Sequence, residues 1–405
     1  MPSSKNWRLE NEADLWRARR AQNKLVSRLP VEYEAEYEGR APTGNWQIWA
    51  VPLVLSLGGI MMIASLTSMG GQVNGVSFYW LAFRQFQFLG LGIALMYCCC
   101  LIPLSLIRRM SWMLWVVAMF MVLATLVPGL GVRAGGARRW LNVLGFQFQP
   151  LEILTLGIPL FLADRLSASK RDGLGCFYKP TLAIAVISAF PLCFQPNMGG
   201  IILVFAICMS MHVVNRGWTY PLIGGLFAVL VFMVMIYTKE YRMSRLLAFI
   251  NPWDDPEGRG FQIIQGLVAF SNGGVLGVGI GKGLQKLKYL PAAHTDYIFP
   301  AIGEEFGLAG TLLIILLYAY WTYKTYMLYR RSDDPYMSVL IWGVTVSVLF
   351  PMFINLGGVM KLMPLTGMPL PFVSFGGTAL VSMWVKVGIL MRIGKELAIR
   401  TGGRR

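Results

Sequence analysis

Ten long apolar stretches constrain this chain more than any other feature of its sequence. A helix that crosses a membrane needs about 20 mostly apolar residues. Such spans are predicted at roughly 46–68, 78–103, 109–131, 150–166, 180–195, 198–215, 218–238, 301–327, 336–360 and 371–393. Only 14% of the 405 residues are charged, against about 25% in a typical soluble protein. The sequence therefore predicts an all-α, polytopic membrane protein with ten transmembrane helices.

The distribution of lysine and arginine predicts the orientation of these spans. With the N-terminus inside, the inner segments hold 23 basic residues and the outer segments hold 10. Cytoplasmic loops are enriched in Lys and Arg, so we expect both termini in the cytoplasm. The predicted parts are an N-terminal tail over 1–45, a membrane domain over 46–397 and a basic C-terminus over 398–405. The basic residues form no single stripe, so no nucleic-acid partner is expected.

Two segments outside the membrane are expected to carry chemistry. Residues 132–149 connect spans three and four, and residues 239–300 form the longest polar stretch between spans. Connections as long as residues 239–300 are usually functional or disordered. Within it, FQIIQGLVAF (261–270) has helical apolar spacing. This spacing predicts an ordered helix, either re-entrant or interfacial.

Charged residues at the start of span four and the end of span three have two interpretations each. Arg138 and Arg139 suit phosphate oxygens in an anion site; with Trp140 they equally suit an anchor in the lipid headgroups. Glu152 lies in the first turn of span four, where the helix dipole favours a carboxylate. A carboxylate near the membrane usually faces the bundle interior, which favours function or a buried pair.

The triplet His294-Thr295-Asp296 precedes span eight, and Glu304 and Glu305 follow two turns later. An aspartate at the mouth of a helix bundle suits a general base if burial raises its pKa and an acceptor hydroxyl reaches it. The simpler alternative is that Thr295 or Asp296 caps the helix.

Two glycine-rich stretches complete the candidate set. Glycines recur over 273–283, where no strand precedes and no GK[ST] follows. The stretch is therefore not a P-loop, and it predicts close backbone packing or approach to a ligand. The segment PLTGMPLP (364–371), with Ser374 just inside span ten, predicts broken backbone that lines a cavity.

Together these stretches resemble one family, the SEDS proteins (shape, elongation, division and sporulation; the FtsW/RodA/SpoVE group). The matching stretches, in the family's order, are GARRWLN (136–142), QPLE (149–152), QPNMG (195–199), NPWDDPEGRGFQIIQ (251–265), GIGKGLQKLKYLPAAHTDYIFPAIGEEFGLAG (279–310) and PLTGMPLPFVSFGG (364–377). The PWDDP and QKLKYLPAAHTD stretches are more similar to the division member, FtsW, than to the elongation member, RodA.

The resemblance implies a peptidoglycan glycosyltransferase of the bacterial cytoplasmic membrane. Such an enzyme polymerises lipid II on the outer face of that membrane, in cell division or shape determination. The resemblance implies that Asp296 is the catalytic carboxylate. The expected substrate-binding residues are basic groups for the departing pyrophosphate and polar groups near the carboxylate: Arg138, Arg139, Trp140, Glu152, Lys282, Lys286, His294, Thr295 and Ser374.

The resemblance also implies partners. They are lipid II, a class B penicillin-binding transpeptidase, and divisome or elongasome proteins. No cofactor is implied with certainty; a divalent cation, Mg²⁺ or Mn²⁺, fits the leaving-group charge, although no all-protein metal cage is visible. Two other classes stay open: a lipid II flippase, because broken spans suit alternating access, and a non-catalytic scaffold for a transpeptidase.

Two positions depart from the family pattern. Thr155 stands where the family usually has Lys, and Asn197 where it usually has Asp. Loss of one partner of a buried ion pair typically costs about 3–5 kcal/mol, whereas loss of both can be neutral. We infer that the family's usual Lys and Asp form a buried ion pair, and that a neutral hydrogen-bonding pair replaces it here. The hypothesis predicts that the Thr155 and Asn197 side chains lie close together across spans four and six.

Overall fold

The computed structural model describes residues 45–68, 79–134, 137–143, 146–168, 175, 177–225, 240–284 and 293–402. Nearly all of the predicted tail over 1–45 lies outside the described residues. The same holds for Lys286 and for much of the predicted seventh span.

Helices dominate the described residues. They are α1 (Gln47–Thr67), α2 (Trp80–Leu101), α3 (Leu104–Ala124), α4 (Pro150–Ala168), α5 (Ala183–Phe194), α6 (Met198–Arg216), α7 (Glu240–Ile250), α8 (Phe261–Gly273), α9 (Ile298–Arg330), α10 (Pro335–Val359) and α11 (Gly377–Gly402). A π-helical turn, Phe177–Leu182, leads into α5, and a 3-10 turn, Pro252–Asp254, follows α7. Residues 219–225 are also helical, up to the edge of the described part.

Within the described residues, eight helices are long and apolar enough to cross a membrane: α1, α2, α3, the continuous Phe177–Phe194 helix, α6, α9, α10 and α11. The chain is therefore a multi-pass membrane protein, as predicted. The predicted fourth span is a helix of 19 residues, α4, which carries Asp164 and Arg165 near its end and is not among the eight. The total of ten spans stays a prediction.

One connection is a sheet, which the all-α prediction missed. Strands β1 (Gly131–Ala134), β2 (Ala137–Val143) and β3 (Phe146–Phe148) form an antiparallel sheet in the order β1-β2-β3. These strands have 4, 7 and 3 residues, too few for a clear alternation of apolar and polar side chains. The predicted third span is correspondingly too long, because α3 ends at Ala124.

The centre of the bundle is formed by the most buried helices. In α10, 67% of the membrane-spanning window is buried, and in α11 61%, against 17% in both α2 and α3. Helix α4 packs against α3, α6 and α10, and its Leu154 and Ile158 have no exposed surface. The buried faces of α4, α10 and α11 therefore pack against protein.

The predicted loop over 239–300 is ordered from residue 240 to 284. Helix α8 confirms the helix expected over 261–270. After it, glycines pack against a kink in α9 at Gly307, which has φ +66°. An added Cβ at Gly277 would lie 2.2 Å from the Glu305 carbonyl oxygen. The glycines thus serve close backbone packing, one of the two roles predicted for them.

Candidate active site

The turn before α9 is held by the backbone carbonyls of three consecutive residues. The carbonyl oxygens of His294, Thr295 and Asp296 accept hydrogen bonds at 2.8, 2.6 and 2.8 Å from Phe375 N, Ser374 Oγ and Asn355 Nδ2, respectively. These donors come from α10 and from the segment before α11. The backbone is therefore fixed by neighbouring segments, and the Asp296 carboxylate is not needed to hold the turn.

The capping role considered for Thr295 or Asp296 is wrong. The residue at the N-cap of α9 is Tyr297, and no side chain makes a capping hydrogen bond there. The Asp296 carboxylate therefore does not cap this helix.

Two arginines face the Asp296 carboxylate. Burial raises the pKa of Asp296, and the positive charges of Arg245 and Arg139 oppose this rise. Arg245, on α7, also donates from Nη1 to the Leu365 carbonyl at 2.8 Å. The carboxylate is thus partly desolvated, yet its ionised form is supported by two guanidinium groups. This is the electrostatic setting that a general base requires.

Gly367 touches both the carboxylate and its arginine. An added Cβ would lie 3.3 Å from Asp296 Oδ2 and 3.6 Å from Arg245 Nη1. Its φ is +75°, a conformation that residues with a side chain rarely adopt. The proline- and glycine-rich segment predicted to line a cavity therefore does so at the carboxylate.

A cavity with a mixed polar and apolar lining lies between this segment, the sheet and the starts of α4 and α6. Its polar lining residues are Arg139, Gln149, Glu152, Thr155, Asn197, Thr366 and Ser374, and Gly367 also lines it. Asn197 Nδ2 and Thr366 Oγ1 are buried and have no hydrogen-bond partner among the described residues. Buried polar groups are usually paired, so these two atoms are placed to bind a polar ligand in the cavity.

The basic pair on β2 is divided by the strand. Successive side chains point to opposite faces, so Arg139 lines the cavity while Arg138 and Trp140 share the other face. Arg139 also donates from Nη2 to the Pro196 carbonyl at 2.7 Å. The structure thus brings Arg139 to the predicted site and leaves Arg138 and Trp140 outside the cavity lining.

The other predicted residues differ in where they lie. Glu152 and Ser374 line the cavity. The His294 ring packs edge-on against Phe375, with centroids 5.9 Å apart, and burial lowers its pKa. Lys282 is exposed on the glycine loop and does not line the cavity. Lys286 lies outside the described residues.

The neutral pair predicted between Thr155 and Asn197 does not form. Asn197 Oδ1 accepts from Gly200 N at 3.1 Å, and Nδ2 has no partner among the described residues. The Thr155 hydroxyl instead bonds the Glu152 carbonyl at 3.0 Å and the Lys386 ammonium at 3.1 Å. Both side chains line the cavity, but a cation from α11 occupies the place beside Thr155.

Sequence reasoning missed three residues of this site. They are Arg245, in the predicted outer segment 239–300, and Asn355 and Lys386, inside the predicted spans 336–360 and 371–393. The signal was present for the last two, because polar and ionisable residues inside membrane spans usually face the bundle interior and mark function. Among the described residues, no three His, Cys, Asp or Glu side chains are grouped closely enough to hold a metal ion.

The fold and site define an integral membrane protein with a cavity beside a carboxylate and two arginines. Comparison with known sequences identifies the family. A family model described as "Cell cycle protein", that of FtsW, RodA and SpoVE, matches residues 45–399. The chain belongs to this family.

Its relatives match over most of their length. The chain is 34% identical to "Probable peptidoglycan glycosyltransferase FtsW" of Halorhodospira halophila, over 88% of this chain and 92% of that protein. It is 33% identical to "Stage V sporulation protein E" of Bacillus subtilis, over 85% and 95%.

Solved structures agree with the fold. A chain of "Structural coordination of polymerization and crosslinking by a peptidoglycan synthase complex" matches with a TM-score of 0.73 and 25% identity, covering 88% of this chain and 98% of that one. The crystal structure of Thermus thermophilus RodA matches with a TM-score of 0.65 and 22% identity, over 87% and 97%.

Proposed function

We propose that this chain is a peptidoglycan glycosyltransferase that polymerises lipid II. The observation that carries the proposal is the Asp296 carboxylate, which is partly buried, acted on by the charges of two arginines and next to a cavity with several polar lining residues. The names of the relatives support the same chemistry. A carboxylate alone suits many reactions; a carboxylate with guanidinium groups suits one whose leaving group is a phosphate ester.

The proposed reaction joins two lipid-linked disaccharides. The 4-hydroxyl of the acceptor GlcNAc attacks the anomeric carbon of the donor MurNAc, and the bond to undecaprenyl pyrophosphate breaks. Asp296 takes the proton from the attacking hydroxyl, and Arg139 and Arg245 stabilise the negative charge of the departing pyrophosphate. A single displacement turns the α-linkage into a β-linkage and needs no second carboxylate as nucleophile.

The proposal includes a membrane topology. Ten spans with both termini in the cytoplasm place the Asp296 end of the bundle on the outer face of the bacterial cytoplasmic membrane. The excess of basic residues in the inner segments supports this orientation.

On the outer face the enzyme would work with a class B penicillin-binding transpeptidase and other divisome or elongasome proteins. The negative charge of the leaving group would also suit a divalent cation, because Mg²⁺ commonly binds between a carboxylate and substrate phosphates.

The test is polymerisation of purified lipid II by the purified protein in detergent and in vesicles. We expect wild-type protein to make glycan strands and the Asp296→Asn variant to be slower by about 10²-fold or more at equal expression. Asp333→Asn is the matched control, because Asp333 is exposed and does not line the cavity. This variant should keep full activity. Movement of lipid II across vesicles without glycan would indicate a flippase, and neither activity would indicate a scaffold. Near-normal glycan from Asp296→Asn would defeat the assignment.

A further inference from the structure

Lys386 is a charge that the proposed reaction does not use. It lies in the interior of α11 and has no exposed surface. Among the described residues it is the only lysine or arginine that is fully buried. An ammonium group at membrane depth is costly and faces a partner inside the bundle, so its surroundings must explain it.

Its surroundings connect one turn of α11 to one turn of α4. Lys386 Nζ donates to Thr155 Oγ1 at 3.1 Å, and Thr155 Oγ1 donates to the Glu152 carbonyl at 3.0 Å. Ser382, four residues before Lys386, donates to the same carbonyl at 3.1 Å. The Glu152 carboxylate and the Lys386 ammonium attract each other. Residues three or four apart share a helix face, so two such faces meet here.

The two charges occupy different sides of the cavity wall. Glu152, Thr155 and Met383 line the cavity, whereas Lys386 does not. Lys386 Nζ lies 3.9 Å from Met383 Sδ, directly behind that lining. The ammonium therefore lies behind the lining and is linked to Glu152 through the Thr155 hydroxyl. Its charge acts on the Glu152 carboxylate without a direct ion pair, and it does not touch a ligand in the cavity.

We propose that Lys386 is a positioning residue, the buried counter-charge that keeps Glu152 ionised and oriented toward the cavity. The proposal rests on the proposed function only in assuming that the cavity receives the lipid-linked substrate. An apolar side chain would join two helices at least as well, because buried ion pairs seldom add net stability. The charge is explained by what it does to Glu152.

The geometry offers a direct way to move the charge. The ammonium already touches the side chain of residue 155, and residue 155 lines the cavity. A lysine there has room to bring its ammonium to Glu152 from the other side. We therefore compare Lys386→Met, Lys386→Met with Thr155→Lys, and Lys386→Met with Glu152→Gln. Lys395→Met, an exposed lysine on the same helix, is the matched control.

Lipid II polymerisation rates across substrate concentrations are the first readout. We expect Lys386→Met to lower the rate by roughly 10- to 100-fold, the size of loss that misplacement of a binding group causes. Moving the lysine to 155 should restore the rate to within about threefold, because the charge is restored although the helix contact is not. Failure of this relocated lysine to improve a folded Lys386→Met protein would overturn the proposal.

Infrared difference spectroscopy is the second readout, and it does not depend on activity. Lys386→Met should gain the carbonyl band of a protonated carboxylic acid, since a buried carboxylate without its counter-charge takes up a proton. The band should be absent when Glu152→Gln is added and when the lysine is moved to 155. Without such a band in Lys386→Met, the proposal fails. If wild-type protein makes no glycan, the proposed function fails, and the band still decides the role of Lys386.

Folding is covered by the double variants. If Lys386→Met does not fold, removal of both charges with Glu152→Gln must restore folding, because an uncompensated buried charge is then gone. A double variant that also fails to fold would show that Lys386 serves packing and would overturn the proposal.

Discussion

Asp296 and Glu152 are carboxylates at the same end of the bundle, and they differ in how many segments hold them. The Asp296 turn is fixed through its backbone carbonyls by two segments, and the charges of Arg245 and Arg139, from two more, act on its carboxylate. For Glu152, inside a helix, one neighbouring helix supplies both the Ser382 hydroxyl that bonds its carbonyl and the Lys386 charge that acts on its carboxylate. Asp296 is thus held by several segments, whereas Glu152 depends on one neighbouring helix. We therefore expect loss of the two carboxylates to differ in its effects on rate and on stability.

Loss of the Asp296 charge should give the largest effect on rate with no loss of stability. Asp296→Asn should lower polymerisation by about 10²- to 10⁴-fold, the usual contribution of a general base. Burial raises its folded-state pKa, so the folded protein binds this proton more tightly than the unfolded chain. That stability is present at low pH and is lost as pH rises through the raised pKa. At neutral pH the neutral amide should thus leave the Tm unchanged or higher.

Differential scanning fluorimetry in detergent checks this, beside Glu152→Gln. The two variants differ in the cation they leave behind: Lys386 has no exposed surface, whereas Arg139 and Arg245 are only partly buried. The glutamate variant should therefore lower the Tm, because an uncompensated buried charge is strongly destabilising. Equal losses of Tm in the two variants would end the distinction between the two carboxylates.

Removal of the Arg245 charge should give the next largest effect. Arg245→Gln should lower the rate by about 10²- to 10³-fold, as loss of a group that stabilises developing charge does. Arg245 lowers the pKa of Asp296, so its loss lets that pKa rise further. The acid limb of the pH–rate profile should therefore move to higher pH. Arg331→Gln, an exposed arginine at the end of α9, should move neither quantity. An unshifted acid limb in Arg245→Gln would separate the arginine from the carboxylate.

A smaller effect is expected where the backbone touches the carboxylate. Gly367→Ala adds a methyl group 3.3 Å from Asp296 Oδ2 at φ +75°, a conformation that costs a residue with a side chain about 1–2 kcal/mol. We expect a rate loss of roughly tenfold from displacement of the carboxylate and a lower Tm. Gly376→Ala is the control, because its added methyl meets only Ala379 Cβ, at an ordinary 3.5 Å. Equal behaviour of the two variants would show that Gly367 serves only its own turn.

The sequence predicted this site in part, and the reason differs between the two carboxylates. The multi-pass helical class and the family membership follow from apolar length and motif order, and both are confirmed. The helix over 261–270 is confirmed as well. Local patterns of this kind are visible in a linear chain. The short sheet was missed because three brief strands carry almost no periodic signal.

What could not be read from the chain is which distant residues meet. Lys386 is 231 positions from Thr155, yet their side chains touch. The prediction of a neutral pair at Thr155 was wrong, because Lys386 of a different helix places a cation beside the Thr155 hydroxyl. Arg245 reaches Asp296 in the same way, from α7. An ionisable residue in an apolar span indicates that a partner exists, but only the fold identifies it.

The smallest effect should follow from the loss of one hydrogen bond that holds Glu152. Ser382→Ala removes the donor to the Glu152 carbonyl, an oxygen that also accepts from Thr155. The cost should be about 0.5–1.5 kcal/mol of stability, with a rate within about threefold of wild type, because the remaining side-chain contacts keep the carboxylate in place.

Asn355→Ala removes two donors at once, to the carbonyls of Asp296 and Met368, both at 2.8 Å. It should lower the rate more than Ser382→Ala, since Asn355 is the described donor to the Asp296 carbonyl. Urea unfolding and initial rates for the two variants rank them, and a larger rate loss in Ser382→Ala would mean that the reacting carboxylate is Glu152.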